Sequence, residues 1–169
     1  MNTVDGWVRG FARQADADFR AWELYQRHSQ AVAATCHQML FLQMACEKLC
    51  KAYILKNQIQ SPEDVQSSHG YVKKHLPTIL KQEIAYLKSD KLAQMRHLMK
   101  QFSHLAKEIE VLNPSMDRQA RPDNCEYPWD AGGEILSPLD WNFQPLQLLS
   151  IAGGPTFLKL LRLAINRIL

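Results

Sequence analysis

The chain has 169 residues, a formal net charge of +3, 46% hydrophobic and 22% charged residues, and only 7 Gly and 8 Pro. These proportions exclude a disordered or fibrous chain and are enough for one hydrophobic core without staples, so a single domain over 1–169 is expected. The charge excess is too small to argue for nucleic acid, because electrostatic binding needs basic groups clustered on one surface.

A first helix is predicted from Thr3 to Arg27, where Val4, Val8, Phe11, Ala15, Phe19, Trp22 and Tyr25 recur at three- and four-residue steps. A second is predicted from a Ser29 N-cap to Lys56, over a run free of Gly and Pro. Its apolar residues, among them Val32, Cys36, Met39, Leu42, Cys46, Leu49 and Ile54, nearly encircle the axis, as in a helix surrounded by others. Cys36, Cys46, Cys50 and Cys125 are read as reduced, with the first three acting as small hydrophobes on that helix. Cys46 and Cys50 lie one turn apart without a set of further ligands, so no metal is expected.

The polar loop Asn57–Gly70 follows, and its Ser61-Pro62-Glu63-Asp64 is suited to open one short helical turn. A third helix is predicted over Tyr71–Leu87, with Pro77 marking either its first turn or a kink. The fourth starts from a Ser89 N-cap; Leu92, Met95, Met99, Phe102, Ala106 and Ile109 form its seam before Asn113-Pro114 ends it.

Residues 113–137 show no sustained period, and loops of that length are usually functional or disordered. Tyr127, Trp129, Ile135 and Leu136 are too apolar for a solvated tail, so an ordered excursion pinned by aromatics is expected. The last helical region, Leu139–Leu169, is expected to break at Gly153-Gly154, with Pro155 opening a final segment so apolar that it is either core or an interface. No strand-like alternation stands out. The expected fold is all-α: an up-and-down helical bundle of about five helices with one long ordered loop near residues 113–137.

Asp5, Arg9 and Arg13 interrupt any apolar leader. Polar residues and the Gly153-Gly154-Pro155 break interrupt the uncharged run Trp141–Leu158. A cytoplasmic protein with no membrane association is the expectation.

On the second helix Gln43, Glu47 and Lys51 stand at i, i+4 and i+8 and form one polar row, with Lys48 adjacent. Two readings stay open: an intrahelical Glu47–Lys51 pair on the face that sees water, or a charged groove between helices. The segment Gln43-Met-Ala-Cys-Glu47-Lys48-Leu-Cys-Lys51-Ala52-Tyr-Ile-Leu55, followed by Ser68-His69-Gly70 and the next helix, resembles the HEPN family. That name abbreviates higher eukaryotes and prokaryotes nucleotide-binding. Its members have a central helix of the form Q-x-A-x-E-K-x-x-K-A-x-x-L, then a loop and a His at the start of the next helix. The rest of the chain matches through helix count and order.

The resemblance implies a helical bundle that forms a homodimer and a nucleotidyltransferase-type partner protein. It also implies nucleotide or RNA as ligand, in a prokaryotic defence or toxin–antitoxin setting. Ribonucleases of the family use an Arg, then four to six residues, then a His, so that two protomers place guanidinium and imidazole around one phosphodiester. The Arg would stabilise developing negative charge and the His would move a proton. Here Arg20 and His28 are separated by seven residues, Arg96 and His104 also by seven, and no His follows Arg118, Arg121, Arg162 or Arg167. The required spacing is absent.

The expected function is therefore a HEPN-like, non-catalytic binding or interaction module without a cofactor. The alternative is a metal-independent endoribonuclease with an atypical site at Arg96 and His104, which share an i, i+4, i+8 row with Lys100. The same residues also read as the solvated face of an amphipathic helix. His69 could anchor its loop by hydrogen bonds or act as a titratable group. His75, beside Lys73, Lys74 and Lys81, could attract phosphate or simply be solvated. In the excursion, Arg121, Glu126, Tyr127 and Trp129 are candidate ligand contacts, since aromatics and Arg dominate binding hot spots. Tyr127-Pro128-Trp129 could equally cap the open end of the bundle. With Gln43, Glu47, Lys48, Lys51 and His69, these form the candidate binding set.

Overall fold

The structure is a computed structural model that describes residues 3–28, 34–87, 92–116, 118–151 and 153–169. Helix α1 spans Thr3–His28 and α2 spans Thr35–Lys56. Tyr25 stacks on Phe41 with ring centroids 5.4 Å apart, Lys48 reaches Asp18 at 2.6 Å, and the Lys51 ammonium lies 5.8 Å from the Phe11 ring. Partner numbers rise along one helix as they fall along the other, so α1 and α2 form an antiparallel hairpin.

The short α3, Pro62–Ser67, starts as its sequence predicts: Ser61 Oγ accepts the Asp64 N–H at 3.2 Å, with Pro at the start of the helix, where no N–H is needed. Helix α4 spans Val72–Tyr86 and keeps Pro77 in its interior; α5 spans Leu92–Glu110. Two-residue strands β1, Trp129–Asp130, and β2, Ile135–Leu136, pair antiparallel. Helices α6, Gln144–Ser150, and α7, Gly154–Ile168, complete the bundle.

Helix α2 is central because its apolar residues face every direction: Cys36, Met39, Leu42, Ala45, Cys46, Leu49, Ala52 and Ile54 are all buried. It packs against α1, α4, α5 and α7. Each buried Leu or Ile of this kind contributes about 1.5–3 kcal/mol relative to exposure. All four cysteines are buried free thiols. On α7, Phe157, Leu160, Leu161, Ala164 and Ile165 are buried against the same core, so the apolar last helix is core within one chain. Its outer edge is fastened by Arg162, which reaches Asp16 and Glu23 of α1 at 2.6 Å each and lies 4.5 Å from the Phe19 ring.

The expected all-helical bundle is observed, with five long helices and the short α3 and α6 among the described residues. Two boundaries differ. Helix α2 starts at Thr35 rather than Ser29, with Ala34 extended at φ −60°, ψ 137° as the residue before it. Ser29, Val32 and Ser89 lie outside the described residues, as does the Leu92 side chain. The last helical region does not start at Leu139: Pro138–Asp140 is a 3-10 turn, Phe143 is extended, and α6 begins with Pro145 in its first turn.

The excursion contains the hairpin that periodicity missed. Strands of two residues are too short to alternate visibly, and the turn between them depends on Gly132 and Gly133 at φ +78° and +98°. No single described helix is long and apolar enough to cross a bilayer, and the segments flanking Gly153 are bent by 88°.

Candidate functional site

Glu47 is the centre of a polar hub buried on α2. One turn before it, Gln43 Nε2 donates to Oε2 at 2.8 Å; one turn after it, Lys51 Nζ meets Oε1 at 3.0 Å. Asn113 Nδ2, from the start of the excursion, donates to Oε2 at 3.0 Å. His69 Nδ1, from the loop before α4, lies 2.9 Å from Oε1. Both carboxylate oxygens are thus doubly partnered by three separate segments.

Gln43, Glu47 and Lys51 are 2%, 6% and 5% exposed, so the row does not face water. This corrects the reading of a solvated Glu47–Lys51 pair: the row is enclosed by the segments that bring His69 and Asn113 to it. Burial pushes the Glu47 carboxyl up, but the hydrogen bonds from Gln43, Lys51 and His69 and the Lys51 charge outweigh it and hold the group below its ordinary value of 4.5. Glu47 is ionised, with Lys51 as counterion. Lys48 points away from the hub and pairs with the buried Asp18, which Gln14 also contacts. It belongs to the α1–α2 seam.

A second buried carboxylate closes the neighbouring helix. Glu110 Oε2 accepts the Lys73 N–H at 2.9 Å, and Tyr71, which precedes α4, offers no side-chain cap. The end of α5 therefore supplies the acceptor that the start of α4 lacks. Burial raises the Glu110 carboxyl above 4.5, partly opposed by Lys73 and the Val72 amide, and nearby Glu47 adds to the rise. Sequence reasoning missed Glu110 and Asn113. One signal was present: Gly70-Tyr71-Val72 contains no Ser, Thr, Asp or Asn to start a helix.

His69 retains 41% side-chain exposure, so its ring joins the hub on one side and solvent on the other. Gly70 beside it is approached by Met116, whose Cε would lie 3.2 Å from an added Cβ. The loop thus packs on the start of the excursion. His75 is not on a basic surface: it is buried, flanked by Tyr53 and Tyr71 at 6.4 and 6.1 Å, and burial with Lys74 nearby lowers it below 6.5.

The excursion is held by polar side chains as much as by aromatics. Arg121 forks onto Asp123 at 2.9 and 3.0 Å and reaches the buried Glu108 at 3.0 Å; these partners raise its already high pKa. Asn124 accepts the Glu126 and Tyr127 N–H groups and donates to the Pro122 and Tyr127 carbonyls. Trp129 is buried edge-on against Trp141 at 5.3 Å. Of the four excursion candidates, Arg121 and Trp129 are committed to structure. Glu126 and Tyr127 remain exposed, with the Arg118 guanidinium 6.0 Å from the Tyr127 ring.

Arg96 and His104 are both exposed on α5 but line different cavities. Arg96 borders a groove beside Lys81, Met95 and Met99. His104 borders an apolar cavity near Leu148 and Ile151, its Nε2 3.5 Å from Gln144 Nε2. Lys100, between them on the helix, borders both cavities. Compared with protein-family models, with curated proteins and with solved structures, the chain has no match.

Proposed function

We propose that this chain is a HEPN-like binding module that holds a nucleotide or RNA without cleaving it. In this reading it acts as a homodimer beside a nucleotidyltransferase-type partner in a prokaryotic defence or toxin–antitoxin setting. One observation carries the proposal: the two separated parts of the resemblance, the helix motif and the later His, meet at the Glu47–His69 contact. A motif that pairs an acid on one helix with a His before the next has a physical reason when both belong to one hydrogen-bonded hub. Such a hub fixes the loop before α4 and the start of the excursion. The groups left to meet a ligand are the solvent-facing edge of His69, Glu126 and Tyr127.

The non-catalytic part of the proposal rests on the absent Arg-to-His spacing, and the partnering of Glu47 supports it. Glu47 is ionised and fully partnered, so it has neither a proton to give nor a free lone pair to take one. The test is calorimetric titration of the protein with ribonucleotides and short single-stranded RNAs. Saturable binding, weakened at least tenfold by His69→Ala or Tyr127→Ala, is the expected result. Flat titrations across the panel would remove the proposal.

A further inference from the structure

Between α4 and α5 runs a groove of about 730 Å³, with Met95 and Met99 half-buried in its floor and Lys81, Arg96 and Lys100 exposed on its rim. Among the described residues, none of these three cations makes an ion pair. The exposed charges of α4 and α5, among the described residues, have one sign. Lys73, Lys74, Lys81, Arg96, Lys100 and Lys107 are exposed on the two helices, and every carboxylate there is buried and engaged. Glu83 is held by Arg167 at 2.7 and 3.0 Å, Glu108 by Arg121, and Glu110 by the Lys73 amide. Among the described residues of α4 and α5, no exposed carboxylate balances these cations, a local excess that the net charge of +3 does not reveal.

We infer that this groove docks an amphipathic helix of another protein, with an apolar ridge flanked by Glu and Asp. The floor is apolar and made of methionines, whose unbranched side chains adapt to different apolar partners. The trough between two packed helices matches the ridge of a third. The unpaired rim cations select an anionic flank and give a salt-dependent on-rate. Single-stranded nucleic acid fits less well, since the groove offers no aromatic ring on which a base could stack. This inference does not rest on the HEPN-like reading, and either can fail alone.

The test uses the whole chain with its methionine methyl groups isotopically labelled, which gives six reporters at most. Two synthetic helical peptides share one Leu ridge and differ only in Glu or Lys flanks. The Glu peptide should shift the Met95 and Met99 methyls and leave Met39, Met44 and Met116 in place, and the Lys peptide should bind at least tenfold more weakly. Charge reversal at the rim, Lys81→Glu/Arg96→Glu/Lys100→Glu, should invert that preference, with an unmoved Met39 signal reporting an intact core. Met99→Glu should abolish binding without touching the rim, and it decides the matter if the triple variant loses its fold. Equal affinity for both peptides, or shifts at Met44 or Met116 instead, would overturn the inference. So would a uridine-rich RNA that shifts Met95 and Met99 when the Glu peptide does not.

Discussion

His69 Nδ1 lies 2.9 Å from Glu47 Oε1 across 22 positions of sequence, and the same carboxylate oxygen contacts Lys51 Nζ at 3.0 Å. The imidazole reaches from solvent to an ion pair that is otherwise enclosed. A buried pair of this kind adds little net stability compared with an apolar core, because desolvation offsets the attraction. What it does is fix position: α2, the loop before α4 and the start of the excursion share one acceptor group.

Removing Glu47 should therefore be costly. Glu47→Ala leaves the Lys51 ammonium buried without a counterion and strands the Gln43 and Asn113 amides, for an expected loss of about 3–5 kcal/mol. His69→Ala removes one contact from a half-exposed ring and should cost about 1 kcal/mol. Urea midpoints of the two single variants and the double variant measure both losses and their coupling. A Glu47→Ala protein as stable as wild type would show that the hub does not hold these segments.

Stability held by Glu47 is lost only as pH falls below 4.5, and above that value the pH dependence should have two opposed parts. Burial holds His75 below 6.5, so as pH falls under that value the unfolded chain takes up a proton first and stability declines. Burial lifts Glu110 above 4.5, so the folded chain keeps its proton where the unfolded chain has lost it, and stability declines as pH rises through that window. His75→Gln should expose the Glu110 slope, with stability falling as pH rises above 4.5. Glu110→Gln keeps an acceptor for the Lys73 amide and should show the reverse slope. Chemical denaturation of both variants across about pH 4–7 checks the sign.

The bundle was legible because its signals are local. Stripes on the first and fourth helices, the all-round apolarity of the second, and Ser61 before Pro62 each follow from spacing alone. The polar row was legible as a row, but its environment was not. Whether Glu47 faces water depends on Asn113 and His69, which arrive from distant segments, and no period in the sequence encodes their arrival. Glu110 was missed for the same reason, since its role is to cap a helix other than its own. Tyr127 and Trp129 look alike as aromatic loop residues, and only packing against Trp141 separates the buried one from the exposed one.

Gly153, just before α7, and Gly154, its first residue, should not tolerate change equally. A Cβ on Gly154 would fall against the Leu149 carbonyl, a backbone group that can only give way if the helices part. Gly154→Ala should cost about 2 kcal/mol or more by overpacking. A Cβ on Gly153 meets only the end of the Gln101 side chain, whose Oε1 has no hydrogen bond to lose. Gly153→Ala should stay within about 0.5 kcal/mol of wild type. Thermal unfolding midpoints would separate the two.

Arg96→Ala/His104→Ala should change neither the fate of RNA nor stability by more than about 0.5 kcal/mol, because both side chains are exposed and face different cavities. Incubation of wild type and the double variant with labelled RNA should give intact RNA in both. Cleavage by wild type that disappears in the variant would restore the ribonuclease reading.

Native mass spectrometry of the purified protein with ribonucleotides and short RNAs tests the central claim most directly, because one spectrum reads subunit number, bound ligand and RNA length. A homodimeric module that binds without cleaving should give a species of two 19.5 kDa chains carrying nucleotide or full-length RNA. Bare protein throughout the panel, or RNA recovered as shortened fragments, would contradict it.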